Sequence, residues 1–571
     1  MNFFRRIFFS RELLAVILLA LVFVLIRLPG VHLPLHQDEY KWPIAVNPDQ
    51  SHVIIPHPPL GEIIYRTAGY IVGFNTNFRF VPLFFGMLNL LLLYYLMRFL
   101  FGRKEATIAS VIWILMYYSV LASLMVDTDG QIMPFFFLIA LIGYFKLKYR
   151  SIEEKDNKKW LWIAVLFLGC IGGFFIKVSF LLAIGAIIAD YVWSKRLLLD
   201  KKTVFKYLGF GIAGVIVLAA LLYISADLFP FFNLHASLSY WEHFAVWKNR
   251  GWFQTGIQCV KALLYSSPLL VLLPLLTRKT TSRDVFDKVK VFLFFMSFAF
   301  LFYVVIFDFS GGALDRYWQL LILPLTVLTT VTLVAIFKEK IFNKVAIVWG
   351  TIVGLILVCL QFIPHAVPAL QPKAAWIGRA LSLHWNFVYP FSGGSGPLAF
   401  YVSFLFMALS WIIFIICIAV AYFKPSWRKT IIAFLIPLAL IYNLVFIEEY
   451  LVGFVNGSAP HLLYPAVAFI QNDPDIGPNS VTVYNDNGGN EIMATGKYHR
   501  RLYVDPMFSL AGKVETLNTD KEFYFVLDAP RLDPTSVYVK YFASCTVIYH
   551  TVDQKMSATV YDCRRAPDVS I

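Results

Sequence analysis

The stretch Leu13–Ile26 reads LLAVILLALVFVLI and follows Arg5, Arg6 and Arg11. Similar apolar runs recur along the chain, and each is close to the roughly 20 residues that cross a bilayer as a helix. Of the 571 residues, 59% are hydrophobic and only 15% are charged, whereas a soluble chain carries about 25% charged residues. The composition therefore excludes a soluble enzyme with a large core and predicts a polytopic membrane protein. No small-residue cleavage site follows the first run, so we expect an uncleaved first span.

The apolar runs predict an α-helical membrane domain of about 13 transmembrane helices. They lie at 12–28, 80–97, 106–124, 132–145, 161–176, 178–194, 207–226, 262–277, 291–307, 320–337, 345–363, 401–422 and 430–447. Alternate loops differ in charge, because the N-terminus and one set of loops are far richer in Lys and Arg than the other set. This asymmetry predicts a cytoplasmic N-terminus, an extracytoplasmic C-terminus and, for a bacterial chain, the plasma membrane. The basic residues form no continuous face, so the lipid bilayer is an expected partner and nucleic acid is not.

The domain division follows from the same runs. We predict a transmembrane domain at 1–447 and a small extracytoplasmic α/β domain at 448–571. The membrane domain has three long outer loops, at 29–79, 227–261 and 364–400. The C-terminal domain has strand-like runs at Ser480–Tyr484, Arg501–Asp505 and Glu522–Asp528, and a closing hairpin at 546–562.

Two cysteines of the C-terminal domain are expected to form a disulfide. Cys545 and Cys563 are equidistant from a turn centred near Gln554. In a hairpin they would lie opposite each other on antiparallel strands, where a narrow cross-strand pair is close enough for a disulfide. An oxidising compartment would allow the bond to form.

An adjacent pair of carboxylates, Asp38 and Glu39, follows the first span in the sequence His36-Gln37-Asp38-Glu39-Tyr40. Adjacent carboxylates repel, so one of them tends to have a raised pKa or to take a cationic or hydrogen-bonding partner. That property suits a general base. A solvated loop pair is the alternative, and the residues alone leave both interpretations open.

Two further outward-facing motifs carry acidic residues. His57-Pro58-Pro59-Leu60-Gly61-Glu62 lies later in the first outer loop, where the two prolines favour the start of a helix. Val126-Asp127-Thr128-Asp129-Gly130 forms a short outer turn between the third and fourth spans. Helix initiation alone would explain the first motif, and helix capping would explain one aspartate of the second more easily than two.

Cations on the same side would be needed to hold a phosphate group. Lys177 lies at the turn between the fifth and sixth spans, and Arg316, followed by Tyr317, lies directly before the tenth span. Each could bind a phosphate. Lys177 could equally extend along the apolar surface to reach water, and Arg316 could anchor its span at the interface.

These motifs together resemble the GT-C integral membrane glycosyltransferases. An Asp-Glu pair after the first span, His-Pro-Pro-Leu-Gly in the same loop and Asp before the fourth span are similar to the protein O-mannosyltransferases. The Gly-rich break at Lys177 and Arg316-Tyr317 before a span containing Pro324 also resemble that group. About 13 spans with a soluble outer domain fit the bacterial aminoarabinose transferases that modify lipid A. The resemblance covers most of residues 10–330.

The sequence also departs from these families. The mannosyltransferases usually continue His-Pro-Pro-Leu-Gly with Lys, but here the residue is Glu62, which puts a phosphate or acceptor contact at that position in doubt. The β-trefoil insert of eukaryotic mannosyltransferases is absent, which weakens protein as the acceptor. The Trp-Trp-Asp motif of the oligosaccharyltransferases is also absent, so transfer of a whole glycan to asparagine is not expected.

The resemblance implies transfer of a monosaccharide from a polyprenyl-phosphate donor to a hydroxyl of a lipid, glycan or protein acceptor, with inversion at the anomeric carbon. It implies that Asp38 is the catalytic base, with Glu39 and Asp129 orienting the acceptor or the sugar. Further residues would contact the substrate, with Lys177 and Arg316 on the donor phosphate: His57, Asp127, Lys177, Arg316 and Tyr317. No spacing indicates a metal site, so a divalent metal is left open and none is assigned.

Two other functions remain open from the sequence alone. A polyprenyl-linked glycan ligase would share the outward-facing site, and the size of the donor would distinguish it. A lipid or solute transporter would place ionisable residues within its spans and often shows internal repeats. Few ionisable residues occur within the spans of this chain, chiefly Lys177 and Asp190 near span ends.

Overall fold

The structure is a computed structural model of the chain. It describes residues 11–48, 55–74, 77–149, 158–195, 201–244, 251–308, 314–338, 343–363, 365–369, 373–391, 398–485, 487–502 and 510–569. The chain separates into two compact units. The first unit comprises Met1–Leu28, Lys41–Ser266 and Leu270–Ile341, and the second comprises Pro29–Tyr40, Ser267–Leu269 and Phe342–Ile571. The predicted division at 447 and 448 concerns the membrane boundary rather than compactness, and it stays a prediction.

Most of the described chain is helical. The α-helices up to residue 230 are Arg11–Arg27, Lys41–Val46, Leu60–Val72, Phe80–Leu100, Arg103–Leu115, Tyr117–Leu124, Ile132–Lys148, Lys159–Ile176, Leu181–Lys195 and Lys201–Leu228. Those between residues 230 and 360 are Leu234–Phe244, Trp252–Leu264, Pro268–Leu272, Thr277–Thr280, Arg283–Phe300, Leu314–Tyr317, Ile322–Ile336 and Lys344–Cys359. The remaining ones are Lys373–Leu381, Phe404–Phe423, Arg428–Leu451, Ala459–Asn472, Gly489–Ala494, Leu510–Thr519 and Val537–Phe542.

Nine helical segments of the described chain are long and apolar enough to cross a membrane. They are Arg11–His32, Phe80–Leu100, Lys159–Ile176, Val178–Lys195, Gly211–Leu228, Arg283–Ile306, Trp318–Ile336, Phe404–Phe423 and Pro425–Leu451. Large apolar side chains on them face outward; Trp160, Phe167 and Leu168 are 73%, 64% and 61% exposed. Such exposure is costly in water and normal against lipid. The chain is therefore an α-helical multi-pass membrane protein.

The predicted count of about 13 spans exceeds this number for two structural reasons. Two predicted spans are broken: Arg103–Leu115 and Tyr117–Leu124 meet at a bend of 66°, and Trp252–Leu264 and Pro268–Thr280 at one of 115°. Counting each bent pair once gives eleven spans within the described residues. Two other predicted spans, 132–145 and 345–363, correspond to shorter helices of 17 and 16 residues. Apolar composition reveals neither bends nor helix length.

A buried arginine forms hydrogen bonds on both sides of the first of these bends. Arg27 ends the first helix and is fully buried. Its Nη1 and Nη2 atoms donate to the backbone carbonyls of Ile114 at 3.3 Å and Trp113 at 3.5 Å, which lie in the last turn of the helix Arg103–Leu115 before the bend. Its Nε donates to Oγ of Ser123 at 2.5 Å, on the helix beyond the bend. Because carbonyls at a helix end lack partners within the helix, Arg27 satisfies groups that the break leaves open.

The C-terminal region contains a five-stranded mixed sheet. Its strands are β3 (Val481–Tyr484), β4 (Tyr498–Leu502), β5 (Phe523–Leu527), β6 (Thr546–Asp553) and β7 (Met556–Asp562), in the order β4-β3-β5-β7-β6. β3 is parallel to β4 and β5, whereas β7 is antiparallel to β5 and β6. A separate ribbon pairs β1 (Val388–Phe391) with β2 (Phe400–Ser403). Helices and strands thus form the expected small α/β arrangement.

The observed strands agree closely with the predicted ones, except that one strand is shifted along the chain. The predicted run at Arg501–Asp505 overlaps β4 (Tyr498–Leu502) only at residues 501 and 502, and its positions 503–505 lie outside the described residues. β4 is an edge strand, and charged residues are common on edges, so its apolar pattern is weak. The hairpin is formed as expected, and the structure joins Cys545 and Cys563 in a disulfide with their Cα atoms 4.7 Å apart.

Candidate active site

The turn with two aspartates is buried in the first unit. The turn lies between the helix Tyr117–Leu124 and the next helix, which begins at Ile132. Asp127 is 3% exposed and Asp129 is fully buried. A Cβ atom at Gly130 would lie 2.5 Å from Oε1 of Gln319 and 2.8 Å from the carbonyl of Ala122, which shows that the turn is tightly packed. Helix capping does not explain two buried carboxylates at this turn.

Each aspartate is paired with one of the two cations predicted to bind a phosphate. A carboxylate oxygen of Asp127 accepts a hydrogen bond from Nε of Arg316. Oδ2 of Asp129 accepts one from Nζ of Lys177 at 2.6 Å, and it lies 3.9 Å from Nε of Arg316. All four side chains are less than a tenth exposed. The structure therefore brings four predicted site residues into one buried ionic cluster.

The two cations lie where helices are interrupted or begin. Lys177 has an extended backbone, with φ −160° and ψ 132°, and it separates the helix ending at Ile176 from the 3-10 turn Val178–Phe180. Arg316 lies in the short helix Leu314–Tyr317, just before the span Trp318–Ile336. Non-helical backbone at membrane depth is tolerated where it is buried in protein or lines a cavity. Such breaks are typical of sites that bind charged groups.

Tyrosines surround the cluster. Nζ of Lys177 lies 4.4 Å from the ring centroid of Tyr317, within the range of a cation–π contact. The hydroxyl of Tyr317 lies 3.2 Å from that of Tyr240, and its ring stacks on Tyr303 at 5.4 Å. Burial raises the pKa of Tyr317 to about 12. The phenol therefore stays neutral and can donate a hydrogen bond.

His57 completes this part of the site. Its ring meets that of Tyr240 edge to face at 6.3 Å, and it is 8% exposed. Burial, reinforced by the positive charge of Lys177, lowers the pKa of His57 to about 3. Its Nδ1 atom is buried and has no hydrogen-bond partner among the described residues. His57 is therefore a neutral imidazole with one nitrogen available to a ligand.

The pKa values of the two aspartates are shifted in opposite directions. Burial alone would raise the pKa of Asp127, but the positive charges of Arg316 and Lys177 together lower it below its ordinary value. Burial raises the pKa of Asp129 above its ordinary value; Lys177 opposes this effect and the negative charge of Asp127 adds to it. Oδ1 of Asp129 is buried and has no hydrogen-bond partner within the described chain. Asp129 is thus the carboxyl group better placed to gain a proton.

The His-Pro-Pro-Leu-Gly motif packs on the aspartate turn, but Glu62 does not join the cluster. A Cβ atom at Gly61 would lie 3.0 Å from Cγ2 of Thr128, between the two aspartates. Oε1 of Glu62 instead accepts two hydrogen bonds from Arg66, at 2.9 and 2.8 Å, one helical turn along. Burial raises the pKa of Glu62 despite this pairing. Glu62, which stands where the mannosyltransferases usually have Lys, is thus paired with Arg66 of its own helix.

Asp38 and Glu39 lie in the second unit. They belong to the 3-10 turn Gln37–Tyr40. Glu39 is buried, and its Oε2 accepts a hydrogen bond from the backbone N–H of His36 at 3.0 Å. Asp38 is half-buried. The solvated-loop interpretation is therefore wrong for Glu39.

The segment that carries this pair is attached to the C-terminal domain. The backbone N–H of Leu35 donates to Oε1 of Glu491 at 2.9 Å. The hydroxyl of Tyr464 donates to the carbonyl of His32. The loop after the first span thus belongs to the same compact unit as the sheet.

One group of the described residues has the spacing of a metal site, and it lies in the C-terminal sheet. The ligand atoms of His499, Asp520 and Glu522 lie within 4.8 Å of one another. Both carboxylate oxygens of Glu522 lie 2.9 Å from Nδ1 of His499, and Asp520 pairs with Arg500. His499 and Asp520 each have an ion-pair partner, so the arrangement favours an ion-pair network over a metal site.

Comparisons with known proteins bear on this geometry. Residues 56–224 match a family model described as dolichyl-phosphate-mannose-protein mannosyltransferase. The chain is similar to crystal structures of ArnT from Cupriavidus metallidurans, one in the apo state and one bound to undecaprenyl phosphate. Both are 12% identical to it, with TM-scores of 0.54 and 0.56; each match covers 96% of this chain, and 98% and 97% of the respective ArnT chains. No curated protein sequence matches the chain.

The chain has the GT-C fold of integral membrane glycosyltransferases. The segment that matches the family model contains His57, Asp127, Asp129 and Lys177. Arg316 lies beyond that segment, yet the fold brings it to Asp127. The GT-C resemblance stated from the motifs is confirmed.

Sequence reasoning missed three residues of the first unit. Tyr240 and Tyr303 contact Tyr317, and Gln319 contacts Gly130 and Met125. Tyr240 lies in the predicted outer loop 227–261, so the aromatic content of that loop was the available signal. Tyr303 lies within an apolar span and Gln319 at the start of another, and nothing in the local pattern distinguishes them.

Proposed function

We propose that the protein is a membrane glycosyltransferase that moves a monosaccharide from a polyprenyl-phosphate donor to an acceptor hydroxyl. The observation that carries this proposal is the buried cluster of Asp127, Asp129, Lys177 and Arg316 at helix breaks of a GT-C fold. The undecaprenyl phosphate bound to the similar ArnT supports a polyprenyl phosphate as the leaving group.

Lys177 and Arg316 bind the donor phosphate in this proposal. A phosphate leaves without an acid when cations neutralise its charge, and buried cations do this more strongly than exposed ones. Both cations are bound to carboxylates before the donor arrives. Because burial raises its pKa, Asp129 can take up a proton from water as the anionic phosphate enters, and Lys177 can then pair with the phosphate instead.

A single displacement at the anomeric carbon follows. The acceptor oxygen forms its bond to that carbon as the bond to the phosphate oxygen breaks, and a carboxylate takes the hydroxyl proton. As the family resemblance implies, we assign this base to Asp38 and the orientation of acceptor or sugar to Glu39 and Asp129. His57 contributes a neutral hydrogen-bonding nitrogen rather than a charge. A retaining reaction would need a second carboxylate as nucleophile.

The experiment is a donor panel with the purified protein. Wild type, Asp38→Asn and the control Asp284→Asn, at a largely exposed aspartate, are incubated with radiolabelled polyprenyl-phosphate monosaccharides. We expect sugar release or transfer with one donor, unchanged in the control and lowered by about 100- to 10,000-fold in Asp38→Asn. Wild-type turnover in folded Asp38→Asn would refute that base. No turnover of the wild type with any donor would refute the donor class, and diphosphate-linked glycans would then be tried.

We place the reaction on the extracytoplasmic face, and the C-terminal domain with it. The proposal rests on the basic loops of the opposite side. A cysteine introduced in the C-terminal domain of intact bacterial cells should react with a membrane-impermeant reagent, whereas one in the loop at 150–157 should react only after lysis. The reverse pattern would invert the topology.

A further inference from the structure

The helix Trp252–Leu264 of the first unit has an apolar side that is exposed and a polar side that is buried. Phe253 and Val260 are 63% and 58% exposed, whereas Thr255 and Gln258 are 1% and 4% exposed. Apolar side chains that face outward are normal in a membrane protein, because they meet lipid. The two buried polar side chains are the feature that needs a physical reason.

The buried side of this helix faces the ionic cluster. The helix packs against the short helix Leu314–Tyr317, which carries Arg316. Directly after its C-terminus, the ring of Tyr265 stacks on that of Tyr117 at 6.3 Å, at the start of the helix that leads to the aspartate turn. The helix Trp252–Leu264 is thus held between the segment of the phosphate-binding arginine and the segment before the two aspartates.

Polar atoms on the buried side lack hydrogen-bond partners. Oγ1 of Thr255 and Oε1 of Gln258 are buried, and neither has a partner within the described chain. Buried threonines of the span Trp318–Ile336 behave differently, since Oγ1 of Thr326 and of Thr330 each donates at 2.7 Å to the carbonyl four residues earlier. A buried polar atom without a partner is costly unless a ligand supplies one. Two such atoms three residues apart on one helix face therefore indicate a ligand.

The chemistry of this side suits an uncharged ligand. The helix contains no acidic residue, and Asp127 and Asp129 are already paired with Arg316 and Lys177. An amide oxygen accepts hydrogen bonds, and a threonine hydroxyl both donates and accepts them. Hydroxyl groups match this set, whereas a protonated amino group would need a carboxylate without another cation.

We propose that Gln258 and Thr255 are specificity-determining residues that bind hydroxyl groups of the transferred sugar, and that this sugar is uncharged. The inference rests on the proposed function, in which Arg316 binds the donor phosphate. The sugar is covalently joined to that phosphate, so it must lie close to Arg316. The helix that packs on the segment of Arg316 is therefore placed to contact the sugar.

Removing one hydroxyl at a time from the donor tests the contact of Gln258. The probe is the undecaprenyl-phosphate monosaccharide that wild type turns over fastest, together with its single-deoxy analogues. One deoxy analogue should lower kcat/KM of wild type by about tenfold or more, because it leaves Gln258 unpaired. In Gln258→Leu, which removes the amide, the same analogue should lower kcat/KM by less than about threefold.

Gly256→Ala is the matched control. Gly256 is exposed on the same helix, and a Cβ atom there would meet nothing within 4 Å, so this variant should respond to every analogue as wild type does. Binding of undecaprenyl phosphate, which carries no sugar, should be equal in wild type and Gln258→Leu. A merely structural role of Gln258 would weaken the binding of this probe as well, and that result would overturn the inference.

Thr255→Val keeps the inference testable if Gln258→Leu does not fold. Valine has nearly the shape of threonine and removes only the hydroxyl, so this variant should also become insensitive to the loss of one sugar hydroxyl. If every deoxy analogue lowers kcat/KM by the same factor in wild type and in the folded variants, neither residue contacts a hydroxyl and the inference is wrong.

Charge on the sugar is tested with amino-sugar donors. Wild type should use an uncharged hexose or pentose donor with a kcat/KM at least about tenfold higher than that of its amino-sugar counterpart. Gln258→Glu adds a carboxylate on the buried side and should narrow or reverse this preference. A wild-type preference for the amino sugar would overturn the inference.

Failure of the inference is distinguishable from failure of the proposed function. Turnover of a donor without any coupling between a sugar hydroxyl and Gln258 or Thr255 would refute the inference and keep the proposed function. Absence of turnover in folded wild type with every donor, charged or uncharged, would refute the proposed function, and the inference would fall with it.

Discussion

Two buried lysine–aspartate pairs lie at opposite ends of one helix, Ile132–Lys148. Before its N-terminus, Asp129 binds Lys177 at 2.6 Å; at its last residue, Lys148 binds Asp190 at 2.5 Å. With 17 residues, the helix separates them by roughly 25 Å. Both aspartates are nearly or fully buried, so burial of an ion pair does not distinguish them.

Their surroundings do distinguish them. Asp190 lies inside a regular helix, and Oδ2 of Asp190 also accepts a hydrogen bond from the hydroxyl of Tyr144 at 2.6 Å. Asp129 and Lys177 both lie where helices are interrupted, and a second pair, Asp127 with Arg316, lies beside them. Interrupted backbone and a second pair therefore indicate a ligand site, whereas a pair between regular helices indicates packing.

The largest expected effect comes from removing one lysine of each pair. We expect Lys177→Gln to lower transfer per folded molecule by about 100- to 1,000-fold, because it removes a charge that neutralises the leaving phosphate. Lys148→Gln should keep that activity and lose about 3 kcal/mol of stability, because the carboxylate of Asp190 is left buried without a counter-charge. Initial rates and thermal unfolding in detergent measure both. Equal loss of activity in the two variants would end the distinction.

A second test moves the aspartate turn without changing its charge. In Gly130→Ala the new methyl group would meet Gln319 and the carbonyl of Ala122, so the turn must shift. We expect about a 100-fold loss of activity, since a displacement of about 1 Å has effects of that size. Gly185→Ala is the matched control, because its Cβ would lie at an ordinary 3.5 Å from Phe298. Unchanged rates in Gly130→Ala would show that the position of the turn is not critical.

The shape of the cation gives a smaller effect. Arg316→Lys keeps the charge beside Asp127 but loses the planar fork that binds phosphate oxygens in pairs. We expect a loss of about tenfold, chiefly as a raised KM for the donor. Steady-state kinetics with varied donor concentration measure it. A fall in kcat at constant KM would instead show that Arg316 contacts the phosphate only in the transition state, and an unchanged kcat and KM would place it away from the phosphate.

The smallest effect concerns the pH dependence of stability. The pKa of His57 is lowered to about 3 from an unfolded value of about 6.5, so between these values the unfolded chain binds a proton that the folded chain does not. Stability from this residue is therefore full above about pH 6.5 and falls as the pH drops toward 3. Wild type should lose more thermal stability than His57→Gln between pH 7 and pH 5. Parallel curves would contradict a neutral buried His57.

The site residues that the sequence predicted share one property. Asp127, Asp129, Lys177 and Arg316 are charged residues at the ends of apolar runs, where a charge near hydrocarbon needs a partner. Their meeting in one cluster was not predictable from the residues alone, because it depends on how segments far apart in sequence pack together. The family resemblance supplied the expectation that they act together.

The fold was predictable where composition determines it and less so where packing does. Each predicted span corresponds to a helix or a bent pair, because about 20 apolar residues suffice to predict a span. The bend near Met116 was missed, since no proline or glycine marks it. Nothing in the local sequence reveals the role of Arg27, because that role depends on carbonyls 86 and 87 residues away in sequence.

The arginine at the end of the first helix also limits how this chain can be engineered. Arg27 donates to Phe23, Ile114, Trp113, Ser119 and Ser123. The first helix is therefore bonded into the helix bundle in addition to being an apolar span. Replacing residues 11–27 by a cleavable secretion signal or a foreign anchor would remove the donor that these buried carbonyls use. Fusion partners for expression or imaging are better attached before Arg11, where the native helix stays whole.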